Sequence, residues 1–398
     1  MASTQTHTGE TQATPEIAPK PQSALERLNA ILRRGAALTV PEFFWRDLVP
    51  WLETKGYKLR PRYQAGWEPV IPMSRLVAPL HEDYLPMARA AIADAIRIKD
   101  GKRVLLKRVR KSDYPHELEI TRYFNMETLA SDPHNHCVRL EETLDVPDDS
   151  NITIAVFPFL QQLVGLRFDT VGEIIDFLQQ IFTGLQFMHQ HHVAHRDINA
   201  DNIMMDGDEM FPKGWNHNFP ELTPDGKKRV KAFTRTQKPP KYYLIDFGLS
   251  RQYDASETNP LEAPIMGGDR TVPEFKTGKE LVNPFHTDIY YIGNMIREYI
   301  IEGTEIEFKG HFETDFLKPL VADMVQDDPV KRPTIDEVVT RFQEICKEQT
   351  SWKLRSRPAP RRRENIFKAI PHQLGHWTRR IGYIARRIHP IPSRSPPK

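Results

Sequence analysis

His195-Arg196-Asp197-Ile198-Asn199-Ala200-Asp201-Asn202, followed downstream by Asp246-Phe247-Gly248, is the stretch on which the reading of this 398-residue chain turns. Transfer of a phosphoryl group needs one carboxylate at the attacking hydroxyl and two oxygen ligands on Mg²⁺, because such a reaction is catalysed mainly by positioning and charge. Asp197, Asn202 and Asp246 carry those oxygens in that order. Such a combination is too specific for a surface loop that happened to collect polar residues.

Upstream, Arg103-Val-Leu-Leu-Lys107 predicts a strand with a lysine toward one end. Asp113 with Pro115 looks like a helix start, and Leu118, Ile120 and Phe124 recur at helical spacing behind Glu117. A strand Lys braced by a helix Glu steadies nucleotide phosphates. Taken alone, Lys107 is an ordinary strand-end cation; the downstream motifs make it a site candidate. Glu117 is preferred to Glu119 because the apolar residues that follow it fit the expected helix.

From about Tyr63 to Phe159, short β-like runs alternate with one helical segment and end in Ile152-Thr-Ile-Ala-Val-Phe157, as in a small sheet-rich lobe. Pro158-Phe159-Leu160 would connect it to a larger helical lobe, opened by the broad apolar face of Val171 to Gln190. His189, His191 and His192 precede the central motif, but no carboxylate is interleaved at ligand spacing, so a solvated helix end is expected rather than a metal cluster. Residues 209–242, rich in Pro and Lys, are longer than a connecting hairpin needs and read as an insertion, a docking loop or, in preference, surface decoration.

Composition bounds the alternatives. At 39 % hydrophobic, the chain suits one large two-lobed domain with extensions. Cys137 and Cys346 are the two cysteines, without metal-ligand spacing, which argues against a disulfide framework or a zinc site and for a reducing compartment. Residues 1–22 lack the apolar core of a signal peptide and read as a disordered leader. With no apolar run of membrane-spanning length, an intracellular protein, cytoplasmic or nuclear, is expected. Residues 23–84 form an N-terminal extension, with a helix over 24–34 and an aromatic helical segment, Pro41 to Tyr57, packed on the small lobe.

The net charge of +2 hides an asymmetry: residues 351–398 hold 13 Lys or Arg against one acid, a net of +12, which leaves −10 on the remaining 350. Within this basic tail, 349–398, Leu374, Trp377, Ile381, Ile384 and Ile388 fall within about 80° on a helical wheel, opposite Arg379, Arg380, Arg386 and Arg387. Pro371 suits the first helical position, while Gly375 and Gly382 each weaken the helix by about 1 kcal/mol. Two readings stay open: the helix lies on an anionic membrane surface, or its stripe packs on the acidic body or a partner protein. Nucleic acid is disfavoured, since the body is acidic and Trp377 sits in the apolar stripe.

Taken together, Lys107, a helix Glu, the His195-to-Asn202 motif, Asp246-Phe-Gly and Val272-Pro-Glu274 resemble the eukaryotic protein kinase superfamily over residues 85–348, divided into a small lobe, 85–160, and a large lobe, 161–348. A narrower resemblance, carried by Gly56-Tyr-Lys-Leu-Arg-Pro-Arg-Tyr63, Asp94-Ala-Ile-Arg97, Asn135-His-Cys137, Phe187-Met-His189, Val193-Ala-His-Arg-Asp197 and Tyr242-Tyr-Leu-Ile-Asp-Phe-Gly248, is to the expanded kinase-like proteins of mushroom-forming fungi. The resemblance implies an α+β, two-lobed protein kinase fold that binds ATP with Mg²⁺ and phosphorylates a protein hydroxyl. On that basis Asp197, in its His195-Arg196 setting, takes the hydroxyl proton, and Asn202 and Asp246 hold metal. Lys107, braced by Glu117, contacts the phosphates. Phe157 lines the rear of the adenine pocket, and the backbone of Pro158 and Leu160 faces the adenine edge. The same resemblance implies a buried Glu274–Arg332 pair and an Asp288 that steadies the catalytic loop.

The departures from the family pattern matter equally. Where it has Gly-x-Gly-x-x-Gly, this chain has Met87-Ala-Arg-Ala-Ala-Ile-Ala-Asp-Ala95, without a glycine. Each charge-assisted bond lost there would cost ~1.5 to 3 kcal/mol. Asn199 and Gly267 stand where Ser/Thr-directed members keep a Lys and a Thr, which leaves the acceptor class open. Arg196 is retained, so a phosphate on Ser256, Thr258 or Thr271 could be held. The alternative to an enzyme is a pseudokinase, a nucleotide-binding or scaffold module on the same fold. A small-molecule phosphotransferase is disfavoured, because Val272-Pro-Glu274 with Arg332 belongs to a peptide-docking segment.

Overall fold

The structure, a computed structural model, describes residues 37–67, 81–87, 89–163, 167–265, 267–277, 281–304, 310–361 and 366–394. The expected leader and the helix expected over 24–34 lie outside them. Five antiparallel strands make the small lobe: β1 (Tyr57–Leu59), β2 (Ile92–Arg97), β3 (Arg103–Arg110), β4 (Glu142–Asp145) and β5 (Ile152–Pro158), in the order β1-β2-β3-β5-β4. Side chains alternate along β3, so Val104 and Leu106 enter one core while Leu105, Lys107 and Val109 face the other. That alternation turns Lys107 toward Glu117 in the same lobe. Residues 152–157 of β5 are buried throughout, as their unbroken apolar character requires.

The extension belongs to this lobe's core. Besides supplying edge strand β1, it folds into α1 (Phe43–Asp47) and α2 (Val49–Thr54), whose Trp45 and Leu52 are fully buried against Ala93, Val104 and Val156. Arg62 forks onto Glu42 at 2.8 and 3.0 Å. The buried Asp94 of β2 takes Arg60 at 2.6 Å and Arg103 at 2.9 Å. Burial pushes the Asp94 carboxyl up, but the two guanidiniums outweigh it and hold it at about 2. The expected break near residue 85 is therefore crossed by a continuous core.

Helix α3 (Glu117–Phe124) starts at Glu117 itself, later than Asp113 and Pro115 suggest. In the large lobe, α4 (Val171–Gln190) is capped by Thr170, whose Oγ1 accepts from the Glu173 N–H at 3.2 Å. Around it pack α5 (Pro284–Met295), α6 (Lys318–Met324) and α7 (Ile335–Lys347), the last opened by a Thr334–Glu337 capping box. Two small ladders set the loops: β6 (Gln161–Gln162), β8 (Ile203–Met205) and β9 (Tyr242–Leu244) form one, while β7 (Val193–Ala194) and β10 (Arg251–Gln252) form the other.

Residues 209–242 are not surface decoration. Met210, Phe211, Trp215, Asn216, Arg235 and Thr236 are buried. Trp215 stacks on Phe159 with centroids 5.5 Å apart, its carbonyl accepts from Arg103 at 3.2 Å, and Asn218 donates to the Pro86 carbonyl at 3.2 Å. On the large-lobe side, Thr236 bonds Glu173 through both N and Oγ1 at 2.8 Å. The segment thus clasps both lobes, and its irregular Pro- and Lys-rich sequence conceals this because its buried residues follow no helical or strand period.

In the tail, α8 spans Ile366–Ala385. Pro371 lies inside this helix rather than at its start, and Ile388 falls beyond its end, outside the stripe assigned to it.

Candidate active site

The catalytic loop is strung between β7 and β8, and β9, paired with β8, runs directly into Asp246. The Ile245 N–H donates to the Asn202 carbonyl at 3.0 Å and ties the two segments together. Asp288 of α5, fully buried, accepts from the backbone N–H of His195 at 2.8 Å and of Arg196 at 2.7 Å, which steadies the loop from below. His189 contributes to the same carboxylate at 3.0 Å, so it serves structure. Arg196 and Asp246 both adopt positive φ, +68° and +66°, a strained setting for residues with a Cβ that the surrounding bonds impose.

Around Asp197 the donors converge. Asn202 Nδ2 reaches Asp197 Oδ2 at 2.8 Å and its carbonyl at 2.9 Å, Asn199 Nδ2 reaches Oδ1 at 3.2 Å, and the Gly268 N–H reaches Oδ1 at 2.6 Å. A Cβ on Gly267 would fall 2.5 Å from Asp197 Oδ1, and one on Gly268 would fall 2.8 Å from Asn199 Nδ2. The absence of a side chain at both positions is what lets the backbone of 267–268 come this close to Asp197 and Asn199. His195 is buried behind, with Nε2 3.1 Å from the Ile245 carbonyl.

Lys107 forms an ion pair with Glu117 and places Nζ 2.9 Å from Asp246 Oδ1. Glu117 is buried and is the glutamate that meets Lys107, whereas Glu119 is exposed and pairs with His116. Burial pushes the Asp246 carboxyl up, yet the Lys107 ammonium and then the Arg89 guanidinium hold it below the usual carboxylate range. Burial disfavours the Lys107 cation, but Glu117 and Asp246 together raise its pKa above the ordinary value. Two oxygens in this region, Asn202 Oδ1 and Glu117 Oε2, are buried without a hydrogen-bond donor. Phe157, buried, and Pro158 close β5, and Leu160 lies in the half-buried connector beyond it.

Three functional candidates escape the sequence reading. Arg89 extends from the glycine-free stretch to place Nη1 3.2 Å from Asp246 Oδ2, with Nη2 3.8 Å from Asp201. Glu262 takes Arg196 at 2.8 Å and Arg251 at 2.5 Å. Gly268 supplies the donor to Asp197. A lone arginine where glycines are expected was the one available signal, and it carries no periodicity. Arg196, which the sequence leaves able to hold a phosphate, is paired here with the Glu262 carboxylate, while Ser256 and Thr271 bond Asp254 and Asp269. Glu274 and Arg332 form the expected buried bidentate pair, both contacts at 2.7 Å.

Comparison with known proteins agrees with this geometry. Residues 88–307 match the family described as the protein kinase domain. The chain is 25 % identical over 224 residues to a protein of Acanthamoeba polyphaga mimivirus that carries a serine/threonine-protein kinase name, covering 48 % of this chain and 67 % of that one. It is 24 % identical over 226 residues to cyclin-dependent kinase C-1 of Arabidopsis thaliana, covering 52 % and 38 %. Against the SNF1-like protein kinase ssp2 of Schizosaccharomyces pombe it is 23 % identical over 225 residues, covering 52 % and 33 %.

Proposed function

The chain belongs to the protein kinase family, and from that premise we propose that it transfers the γ-phosphoryl group of ATP to a protein hydroxyl, with Ser or Thr the favoured acceptor. One observation carries the reading: Asp197, Asn202 and the Lys107–Asp246 pair are joined by hydrogen bonds around one backbone link. Asn202 Oδ1, buried and without a donor, together with the Asp246 carboxylate held in its charged form, is a donor set suited to Mg²⁺. When bound, Mg²⁺ supplies charge neutralisation on the phosphates.

In this reading Asp197, oriented by Asn202 and the Gly268 N–H, accepts the proton of the acceptor hydroxyl as its oxygen bonds to the γ-phosphorus and ADP departs. Lys107, positioned by Glu117, and Arg89 grip the phosphates, and Arg89 offsets by charge the backbone contacts that a glycine loop would make. Phe157 backs the adenine, with the carbonyl of Pro158 and the backbone of Leu160 toward its edge. The likeness to the kinase-like proteins of mushroom-forming fungi is part of the same proposal and rests on the motifs quoted above.

The glycine-free stretch favours a second reading, a nucleotide-binding pseudokinase. Radiolabelled γ-phosphate transfer to generic protein substrates and to itself, wild type against Asp197→Ala, separates the two. The enzyme reading expects signal from the wild type alone; equal signal from both proteins removes it.

A further inference from the structure

An amphipathic helix attached to a globular body normally turns its apolar stripe inward. Here α8 docks by its polar side. Arg379 Nε donates to Asp169 Oδ2 at 2.9 Å. His376 is 2 % exposed, and its Nδ1 lies 3.6 Å from Asp169. The Tyr383 hydroxyl meets Thr234 Oγ1 at 2.7 Å, and Arg380 lies over the Trp352 ring at 3.6 Å. Past the helix, the Pro390 carbonyl abuts Gly172 so closely that a Cβ there would fall 1.9 Å from it, and Arg394 donates to the Pro239 carbonyl at 2.9 Å. The tail is therefore anchored by groups off the stripe, and the stripe is left facing out: Ile370, Leu374, Trp377, Ile381 and Ile384 are 40–64 % exposed. Trp352, itself 64 % exposed, extends the patch beside Trp377, with centroids 6.1 Å apart.

We propose that this face docks on an anionic bilayer surface. Charge and chemistry select that occupant. The apolar side chains sit in a segment of net +12 on a body of net −10, so an anionic surface attracts the tail and repels the rest, which fixes the orientation of the bound protein. Arg386 and Arg387 are exposed at the C-terminal end of the helix, where they meet headgroups while the stripe enters the acyl boundary. Two indoles, Trp377 within the stripe and Trp352 beside it, suit the interfacial zone, which accepts an apolar ring with a polar N–H. Among the described residues no helix is long and apolar enough to cross a membrane, so the helix lies on the surface.

The test is sedimentation of the full chain with vesicles of phosphatidylcholine alone or mixed with phosphatidylserine. Pelleting is expected with the anionic vesicles and not with the neutral ones. It should fall at least about tenfold in Leu374→Glu/Ile381→Glu, whose thermal unfolding stays that of the wild type because both side chains are exposed. Arg386→Glu/Arg387→Glu should weaken it as well and flatten its salt dependence. Equal pelleting of wild type and the Leu374/Ile381 variant overturns the proposal. So does a wild-type dimer that this variant converts to a monomer without changing vesicle binding, which would assign the stripe to a second copy.

Discussion

Arg196 and Glu262 form an ion pair of 2.8 Å between the catalytic loop and the segment that follows Asp246-Phe247-Gly248, and the same carboxylate holds Arg251. A carboxylate thus occupies the guanidinium that a regulatory phosphate would need. Phosphatase treatment is therefore expected to leave transfer activity within about twofold of the untreated protein, whereas Glu262→Ala should lower kcat about tenfold by freeing the segment, as one lost charge-assisted contact implies. A large loss on phosphatase treatment would refute this.

In the proposed function Arg89 replaces, by charge, the backbone contacts of a glycine loop. Removing it should raise the KM for ATP by about 10- to 100-fold, the equivalent of one charged contact to phosphate, with a smaller effect on kcat. Steady-state kinetics of Arg89→Ala, with Arg89→Lys expected to recover part of the loss, checks it. An unchanged KM would assign Arg89 to nothing more than a surface pair with Asp246.

Trp215, 5 % exposed and stacked on Phe159, measures whether the 209–242 segment carries stability. Trp215→Ala should cost about 3–5 kcal/mol in urea unfolding, from lost burial and the cavity left behind. A cost below about 1 kcal/mol would return the segment to the status of a surface loop.

Burial raises the Asp176 carboxyl to about 7, opposed by the Gln180 hydrogen bond and assisted by nearby Glu173. In the unfolded chain the same group titrates near 3.8. Between these values the unfolded chain sheds a proton that the folded chain keeps, so each rising pH unit costs the fold about 1.4 kcal/mol from this group. The penalty is absent below the lower value and complete above the upper one. Asp176→Asn should therefore gain stability relative to the wild type between about pH 4 and pH 8, by up to ~4 kcal/mol. Denaturant melts of both proteins at the two pH values measure it, and a pH-independent difference would contradict the assignment.

Lys107, Glu117, Asp197, Asn202 and Asp246, which the structure brings together, could be singled out as candidates without coordinates because phosphoryl-transfer chemistry demands particular groups in a recurrent order, and because period-two and period-3.6 patterns mark the strand and helices that carry them. Arg89, Glu262 and Gly268 were not, since each acts on a partner far away along the chain and leaves no local pattern. The clasp made by Trp215 was hidden for the same reason.

The tail draws the line between the two most sharply. Its residue order alone specified an amphipathic helix with a stripe of Leu374, Trp377, Ile381 and Ile384, because periodicity is a property of neighbours in sequence. Which side of that helix meets the body was decided only by the tertiary structure. Asp169, Thr234 and Trp352, brought together from three separate segments, offer partners to its polar face, and a long-range contact of that kind has no signature in the segment that makes it.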